Sequence, residues 1–419
     1  MLVQTILNRV HPIKGFVYGK ARFVQGWVAP RIIEVEVRPR KGSRPLCSVC
    51  GRPGPVHQTD RWERHFEFVP LWGMAVFLLY RMRRVACKQC GVKVERVPWA
   101  LGKHRLTTAF AWFLAGWAKR LSWTQTAESF RTSYYHVFAA VRMAVDWGRA
   151  HMDLTGIEAI GVDEMAIGKG HHYVTAVYQI DPGAKRLLWL GEQRKAKTLL
   201  KFFRWFGPER SAQLRFICSD MWKGYIKVIA KKATGAVHIL DRFHIMANLS
   251  KALDEVRAQE ARALKAQGQG ELLKHSRWCF LKRPENLTDN QRLKLSDLLR
   301  WNLKIVRAYL LKEQFQVFWD YVSPAWAGKF LDQWTDQALR SRIEPLNNFA
   351  RTLRRHRELL LNYFRARKRF SAGVVEGLNN KAKTTMKIAY GYRTFESLQV
   401  ALYHTLGELP EPKLTHSFL

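Results

Sequence analysis

The 419-residue sequence predicts a multidomain α/β protein. Three observations carry that reading. Two matched cysteine knuckles sit in strand-like sequence near the N-terminus, strands and helices alternate from residue 157, and a long purely helical stretch precedes the C-terminal part. Hydrophobic residues make up 47% and aromatics 12%, which is enough for buried cores. Lys and Arg number 70 against 34 acids, for a net charge of +36 and a pI near 10.3. Such a surplus points to a polyanion, most often nucleic acid, and argues against an acidic small-molecule enzyme or an ordinary secreted domain. A basic ribosome-associated surface is the plainer explanation of the same charge. The longest apolar run covers residues 69–80 and contains Pro70 and Gly73. It is short of the roughly 20 residues of a spanning helix, so no membrane attachment is expected. The start of the chain lacks a secretory layout, and six cysteines do not make a disulfide scaffold. A cytoplasmic DNA- or RNA-binding protein is the expectation.

The first element is metal-binding. Cys47-Ser48-Val49-Cys50-Gly51 and Cys87-Lys88-Gln89-Cys90-Gly91 are matched C-x-x-C-G knuckles. Two residues between thiols let both sulfurs face one tetrahedral ion, and the following glycine tolerates the tight turn. A redox C-x-x-C normally opens a helix after a strand, a context absent here. Cys47, Cys50, Cys87 and Cys90 are therefore the expected ligands of one structural Zn²⁺, in a zinc ribbon whose strands include residues 64–69 and 75–85. Cys218 and Cys279 are given no role.

After Pro98 the texture turns helical. Residues 106–119 form one helix, with Thr107 or Thr108 as N-cap. Residues 122–130 form a short one with Ser122 and Gln125 in capping-box spacing, and residues 134–146 a longer one. Short helix, turn, longer helix is the helix-turn-helix plan, which puts Ser133, Tyr134, Tyr135 and His136 near DNA bases, with Arg142 further along. An ordinary helical hairpin has the same pattern.

From residue 157 three strands (157–163, 172–180 and 186–190, the first two joined by a turn at 168–170) precede a helix at 196–206. A strand at 214–220, a helix at 221–232 and a strand at 236–240 follow. This order is that of an RNase H-like fold, which brings carboxylates on the first and fourth strands together. Those are Asp163 and Asp220. Glu164 is excluded because adjacent strand residues point to opposite faces. Residues 351–393 are strongly basic and hold only two acids, Glu358 and Glu376. Glu376 opens a helix and shares its face with Asn379, Asn380 and Lys383; Asn380 and Lys383 are candidate DNA contacts. Two Mg²⁺ ions would explain three acids: one activates the attacking oxygen at a phosphodiester and the other stabilises the leaving oxygen. Mg²⁺ takes hard oxygen ligands and few carboxylates, and Mn²⁺ is able to substitute. Singly, Asp220 reads equally as an N-cap and Glu376 as a helix-dipole partner.

The stretch GVVEGLNNKAK at 373–383, continued by AYGYRTFES at 389–397, resembles the signature of the ISL-three family of bacterial insertion-sequence transposases. IGVDE at 160–164, Ser219-Asp220, LDRFHI at 240–245, IEPL at 343–346 and FARTL at 349–353 are similar to its other motifs. The resemblance implies a DDE triad of Asp163, Asp220 and Glu376, and an enzyme that cuts double-stranded DNA at its element's terminal inverted repeats and joins it to target DNA. It also implies a homodimer on DNA and a bacterial, nucleoid-associated setting. Asp241-x-x-His244 resembles a C/D-x-x-H element of several transposase families, a candidate accessory pair, and is equally an Asp–His hydrogen bond after a strand.

Helix-like periodicity covers residues 245–267, 289–318 and 326–351. This resembles the all-helical insertion of some DDE transposases. Of Trp278, Trp301, Trp319, Trp326 and Trp334 within it, packing is favoured over base stacking for four. The expected domains are a zinc ribbon (1–100), a helix-turn-helix (101–150), the RNase H-like domain in two parts (151–245 and 346–419) and the helical insertion (246–345). A DNA-binding regulator with an inert RNase H-like domain is the rival reading, and a nuclease without strand transfer a third.

Overall fold

The computed structural model describes residues 2–25, 31–102, 104–168, 172–370 and 373–412. The chain divides into two compact units, Met1–Asp153 with Ala382–Leu419, and Leu154–Lys381. The turn expected at 168–170 lies partly outside the described residues.

In the first unit α1 (Val3–Val10) precedes β1 (Phe16–Gln25), β2 (Arg31–Pro39), β3 (Val56–Thr59), β4 (Arg64–Leu71), β5 (Met74–Tyr80), β6 (Arg83–Cys87) and β7 (Gly91–Val94). These strands make two sheets, β1-β2-β5-β4 and β3-β6-β7. The expectation that residues 64–69 and 75–85 lie in the zinc ribbon is therefore corrected: β4 and β5 belong to the four-stranded sheet, and only β6 and its partners form the ribbon. The physical reason is a buried carboxylate. Tyr80 Oη donates to Glu95 Oε1 at 2.5 Å, and Arg83 donates to the same side chain from its backbone N–H (2.7 Å) and Nε (2.9 Å). The strand breaks at Arg81 and Met82 so that both neighbours reach Glu95. Trp99 seals the four-stranded core, taking Phe16, Phe66 and Tyr80 edge-on at 4.8, 5.8 and 5.2 Å.

Helices α2 (Thr108–Trp117), α3 (Trp123–Ser129) and α4 (Tyr134–Ala150) follow. Thr107 caps α2 by accepting from Phe110 N–H, and Ser122 and Gln125 close a reciprocal capping box on α3. Arg131, at φ 51°, makes the turn into α4, which Ser133 caps.

The second unit is built on a five-stranded sheet. Strands β8 (Ala159–Ala166), β9 (Tyr173–Asp181), β10 (Ala184–Glu192), β11 (Phe216–Ser219) and β12 (Val237–Leu240) lie in the order β10-β9-β8-β11-β12. Neighbours are antiparallel from β10 to β8 and parallel from β8 to β12. Strand β9 is buried along nearly its whole length, the pattern of a sheet covered on both faces. Helices α5 (Ala196–Phe206), α6 (Pro208–Gln213) and α7 (Lys223–Lys232) connect the strands, and Phe202 and Phe206 of α5 are fully buried.

The remaining helices are α8 (Arg242–Ala266), α9 (Arg277–Leu281), α10 (Asp289–Leu298), α11 (Lys304–Gln316), α12 (Pro324–Arg340), α13 (Glu344–Arg355) and α14 (Arg357–Arg365). Two helices expected to be continuous are split. Residues 289–318 break before α11, whose first N–H groups, on Lys304 and Ile305, are bonded by the Glu260 carboxylate at 2.7 Å each. Residues 326–351 break at Arg342, which takes φ 54° ahead of Pro345 in the first turn of α13. Trp319 and Trp334 are buried and Trp278, Trp301 and Trp326 exposed, so the packing expectation for four of the five is corrected to two. Helix α15 (Gly373–Ile388) and α16 (Phe395–Leu406) complete the chain. Gly161 of β8 is required by the close approach of α15, because a Cβ there would collide with Val375. Residues 382–412 pack with the first unit, within the stretch expected as 346–419: Glu411 pairs with Lys119 at 2.5 Å, and Arg149 lies over Tyr403. No helix among the described residues is long and apolar enough to cross a membrane.

Candidate active site and metal centre

The two knuckles meet. The sulfurs of Cys47, Cys50, Cys87 and Cys90 all lie within 4.8 Å of one another. Gly51 and Gly91 take φ 69° and 70°, the left-handed turn each knuckle needs, and Cys50 Sγ stands 3.5 Å from Cys87 Sγ. The Cys87 thiol is lowered to about 7, chiefly by the backbone N–H groups of Cys90 and Gln89. Cys90 is pushed up to about 12 by desolvation and by the neighbouring Cys50 and Cys87. Four soft donors at tetrahedral spacing are compatible with zinc.

In the second unit Asp163 and Glu164 lie within β8, just past its last pair with β11, and Asp220 and Asp241 follow the ends of β11 and β12. Asp163 Oδ1 accepts from Glu164 N–H at 2.8 Å and Oδ2 from Asn379 Nδ2 of α15 at 2.6 Å. Tyr178 Oη donates to Asn379 Oδ1 at 2.7 Å and so fixes the amide's orientation. Asp220 follows β11; Oδ1 accepts from Trp222 N–H at 3.0 Å and Oδ2 from Arg194 Nη2 at 2.9 Å. Asp241, after β12, caps α8 through Phe243 N–H and bonds His244 Nδ1 at 2.6 Å.

The charges feel one another. Burial raises the Asp163 carboxyl first; Glu164 N–H and His244 oppose it, while Asp241 and Asp220 add to it. The hydrogen bond to Asp241 lifts His244 to about 9 against its burial, helped by Asp163 and Asp220. Burial and then Asp220 push Glu164 up to about 7, against the pull of Arg194. Strand alternation separates Asp163 from Glu164: Asp163 meets Asn379, while Glu164 pairs with Arg194. Arg194 nevertheless bridges Glu164 to Asp220, and the Asp220 charge raises both Asp163 and Glu164, so the two faces are coupled electrostatically. Glu164 Oε2 is buried without a hydrogen-bond partner. Carboxylate oxygens are the hard donors a divalent cation takes, but among the described residues the four thiols alone form a group of three or more metal-ligating side chains closed to within 4.8 Å, and the acids stand apart on their own protein partners.

Glu376 is exposed on α15, one turn before Asn379. Among the DNA-contact candidates Tyr134, Tyr135, Asn380 and Lys383 are exposed. Ser133 is occupied as the N-cap of α4. His136 Nδ1 lies 3.0 Å from Thr132 Oγ1 and 3.6 Å from Glu67. Arg142 pairs with Glu396 at 2.9 Å. Sequence reasoning missed Arg194, a lone arginine after a strand in a basic chain, and gave Asn379 no role although its helix face was legible.

A model of the ISL-three DDE type, described as a transposase, matches residues 160–402. The chain is 30% identical over 355 residues to the transposase for insertion sequence element IS1001 of Bordetella parapertussis, covering 84% of this chain and 86% of that protein. It is 29% identical over 397 residues to the transposase for insertion sequence element IS1557 of Mycobacterium tuberculosis, covering 88% of each. The DDE type implies use of a divalent metal, and transposases act on DNA. The chain belongs to the ISL-three family of insertion-sequence transposases and is a transposase enzyme.

Proposed function

We propose that this transposase binds the terminal inverted repeats of a bacterial insertion sequence as double-stranded DNA, and catalyses Mg²⁺-dependent cleavage and strand transfer. In this reading Asp163, Asp220 and Glu376 are the catalytic acids and hold two Mg²⁺ ions, which supply activation of the attacking oxygen and stabilisation of the leaving one. One observation carries it: β8 and β11 are parallel neighbours whose last pair is Val162 with Ser219, so Asp163 and Asp220 follow that pair on adjacent chains, and the helix bearing Glu376 is tied to Asp163 through Asn379. The order β10-β9-β8-β11-β12, with two antiparallel pairings followed by two parallel ones, supports an RNase H-like assignment, with residues 246–345 as its helical insertion.

The four-thiol ribbon holds a structural Zn²⁺, and α3 and α4 act as a helix-turn-helix that presents Tyr134 and Tyr135 to DNA, with Asn380 and Lys383 as further contacts. Asp241 orients His244 beside the acids. The protein works as a homodimer on the two element ends, in the bacterial cytoplasm. The test is cleavage of a duplex carrying the element's end. Asp163→Ala, Asp220→Ala and Glu376→Ala each lower cleavage by orders of magnitude while end binding persists, because the removed charge only repels phosphate. Glu358→Ala, an exposed carboxylate paired with Arg357 and Arg365, leaves cleavage unchanged. Near wild-type cutting by Glu376→Ala would remove Glu376 from the triad.

A further inference from the structure

Arg194 stands just past β10 in the second unit. The preceding Gln193 takes φ 70° and donates its N–H to Tyr173 O at 2.8 Å, which fixes the backbone that aims the arginine. The guanidinium reaches two acids at once. Nη2 donates to Asp220 Oδ2 at 2.9 Å, and Nε approaches Glu164 Oε1 at 2.7 Å, close in distance but off the hydrogen-bond axis. Its carbon lies 5.3 Å from the Trp222 ring centre. A planar fork of donors can join two carboxylates in this way, whereas an ammonium acts as a single point charge.

The arrangement is not a finished structural ion pair. Buried pairs hold their place when every remaining lone pair is satisfied, yet here Glu164 Oε2 is buried and unbonded, and Nε is poorly aligned. The arginine side chain is about one-third exposed while both acids are largely buried, so it has a path away from them. The oxygen it occupies belongs to a residue that the proposed reaction assigns to a divalent ion.

We propose that Arg194 is a positioning residue for transposition. Its guanidinium is a built-in counter-ion that holds Asp220 in place and competes with the catalytic divalent cation for that carboxylate, so metal loading requires Arg194 to release Asp220 Oδ2. The inference rests on Asp220 being a metal ligand. Two cations on one carboxylate repel each other at short range, so loss of the guanidinium favours the metal.

The experiment titrates the full-length protein with Mn²⁺ by calorimetry, without DNA. Arg194→Met binds Mn²⁺ about tenfold more tightly than wild type, and Arg194→Lys, which keeps the charge, stays much closer to wild type. Equal or weaker affinity in a folded Arg194→Met overturns the proposal. Asp220→Ala separates the two levels. If it leaves Mn²⁺ binding intact, the assignment of Asp220 as a ligand fails; if it abolishes binding and Arg194→Met changes nothing, only the role of Arg194 fails. A second measurement covers an Arg194→Met that does not fold. Mg²⁺ added to the wild type changes the emission contributed by Trp222, read as the difference from Trp222→Phe, because the guanidinium leaves the ring. A Mg²⁺ response identical in both proteins overturns the proposal.

Discussion

The four thiols of the N-terminal unit lie within 4.8 Å of one another, whereas the carboxylates on β8 and after β11 and β12 are each held by a protein group: Asn379 on Asp163, Arg194 on Asp220, His244 on Asp241. The difference follows from what surrounds each set. The ribbon is a three-stranded sheet of short strands with exposed β3 and β7, too small to be held by its own core. In the proposed reading its gathered donors let a metal close it. The five-stranded sheet is covered on both faces and keeps its acids in place through hydrogen bonds and counter-ions. In the reading proposed above, the structural centre and the reactive one therefore differ in who holds the ligands, the metal or the fold.

The largest expected effect tests the first half of this contrast. Cys47→Ser with Cys50→Ser should abolish zinc, from one ion per chain by elemental analysis, and with it the folding of β3, β6 and β7. Binding free energies for such centres are on the order of 10 kcal/mol and are spent on folding. Hydrogen exchange should show the ribbon unprotected and the five-stranded sheet unchanged. A protected ribbon without zinc would mean that its own core suffices. The second half is tested by Asn379→Ala, which removes the side-chain donor to Asp163 Oδ2 and leaves Tyr178 Oη with Met165 Sδ at 3.8 Å. Losing the bond to the Asp163 carboxylate costs about 1.5–3 kcal/mol, and Tyr178→Phe, which loses a bond between neutral groups, about 1 kcal/mol. Thermal melts that place the two variants in the reverse order would break the proposed chain from Tyr178 to Asp163.

The same contrast decides what was legible in the sequence. Cys47, Cys50, Cys87 and Cys90 were readable because each pair is local: spacing and a following glycine specify the turn. Ser122 with Gln125 was readable for the same reason, and the structure has that capping box. Strand identities from 157 to 240 followed from alternation and turn residues, and their order into one sheet is seen in the structure. What failed was non-local. Nothing near residue 80 says that Tyr80 and Arg83 will converge on Glu95, so the sheet boundary between β5 and β6 was missed. The break before α11 depends on Glu260, a carboxylate from another helix. Arg194 and Asn379 acquire their roles only when strands and a helix far apart in sequence meet, and no spacing rule marks them.

The smallest expected effect concerns how the second sheet responds to acid. His238 of β12 is buried, and Ser219 Oγ donates to Asp220 O at 2.9 Å, which leaves the hydroxyl to accept from His238 Nε2–H at 2.8 Å. Burial, with a smaller contribution from His356, lowers His238 from 6.5 to about 4. A depressed folded pKa means that the unfolded chain binds the proton more readily. The stabilisation is therefore complete above the unfolded value and is lost as pH falls from 6.5 towards 4. Near pH 5.5 the loss amounts to about 1 kcal/mol. His238→Asn is less stable than wild type at neutral pH, and the gap should narrow by that amount near pH 5.5 in urea melts. A gap independent of pH would show that His238 does not remain neutral in the fold. The thiol centre also weakens in acid, because its ligands must stay deprotonated. Following zinc release with a chromophoric chelator beside the melts separates the two processes, since only the sheet transition responds to His238→Asn.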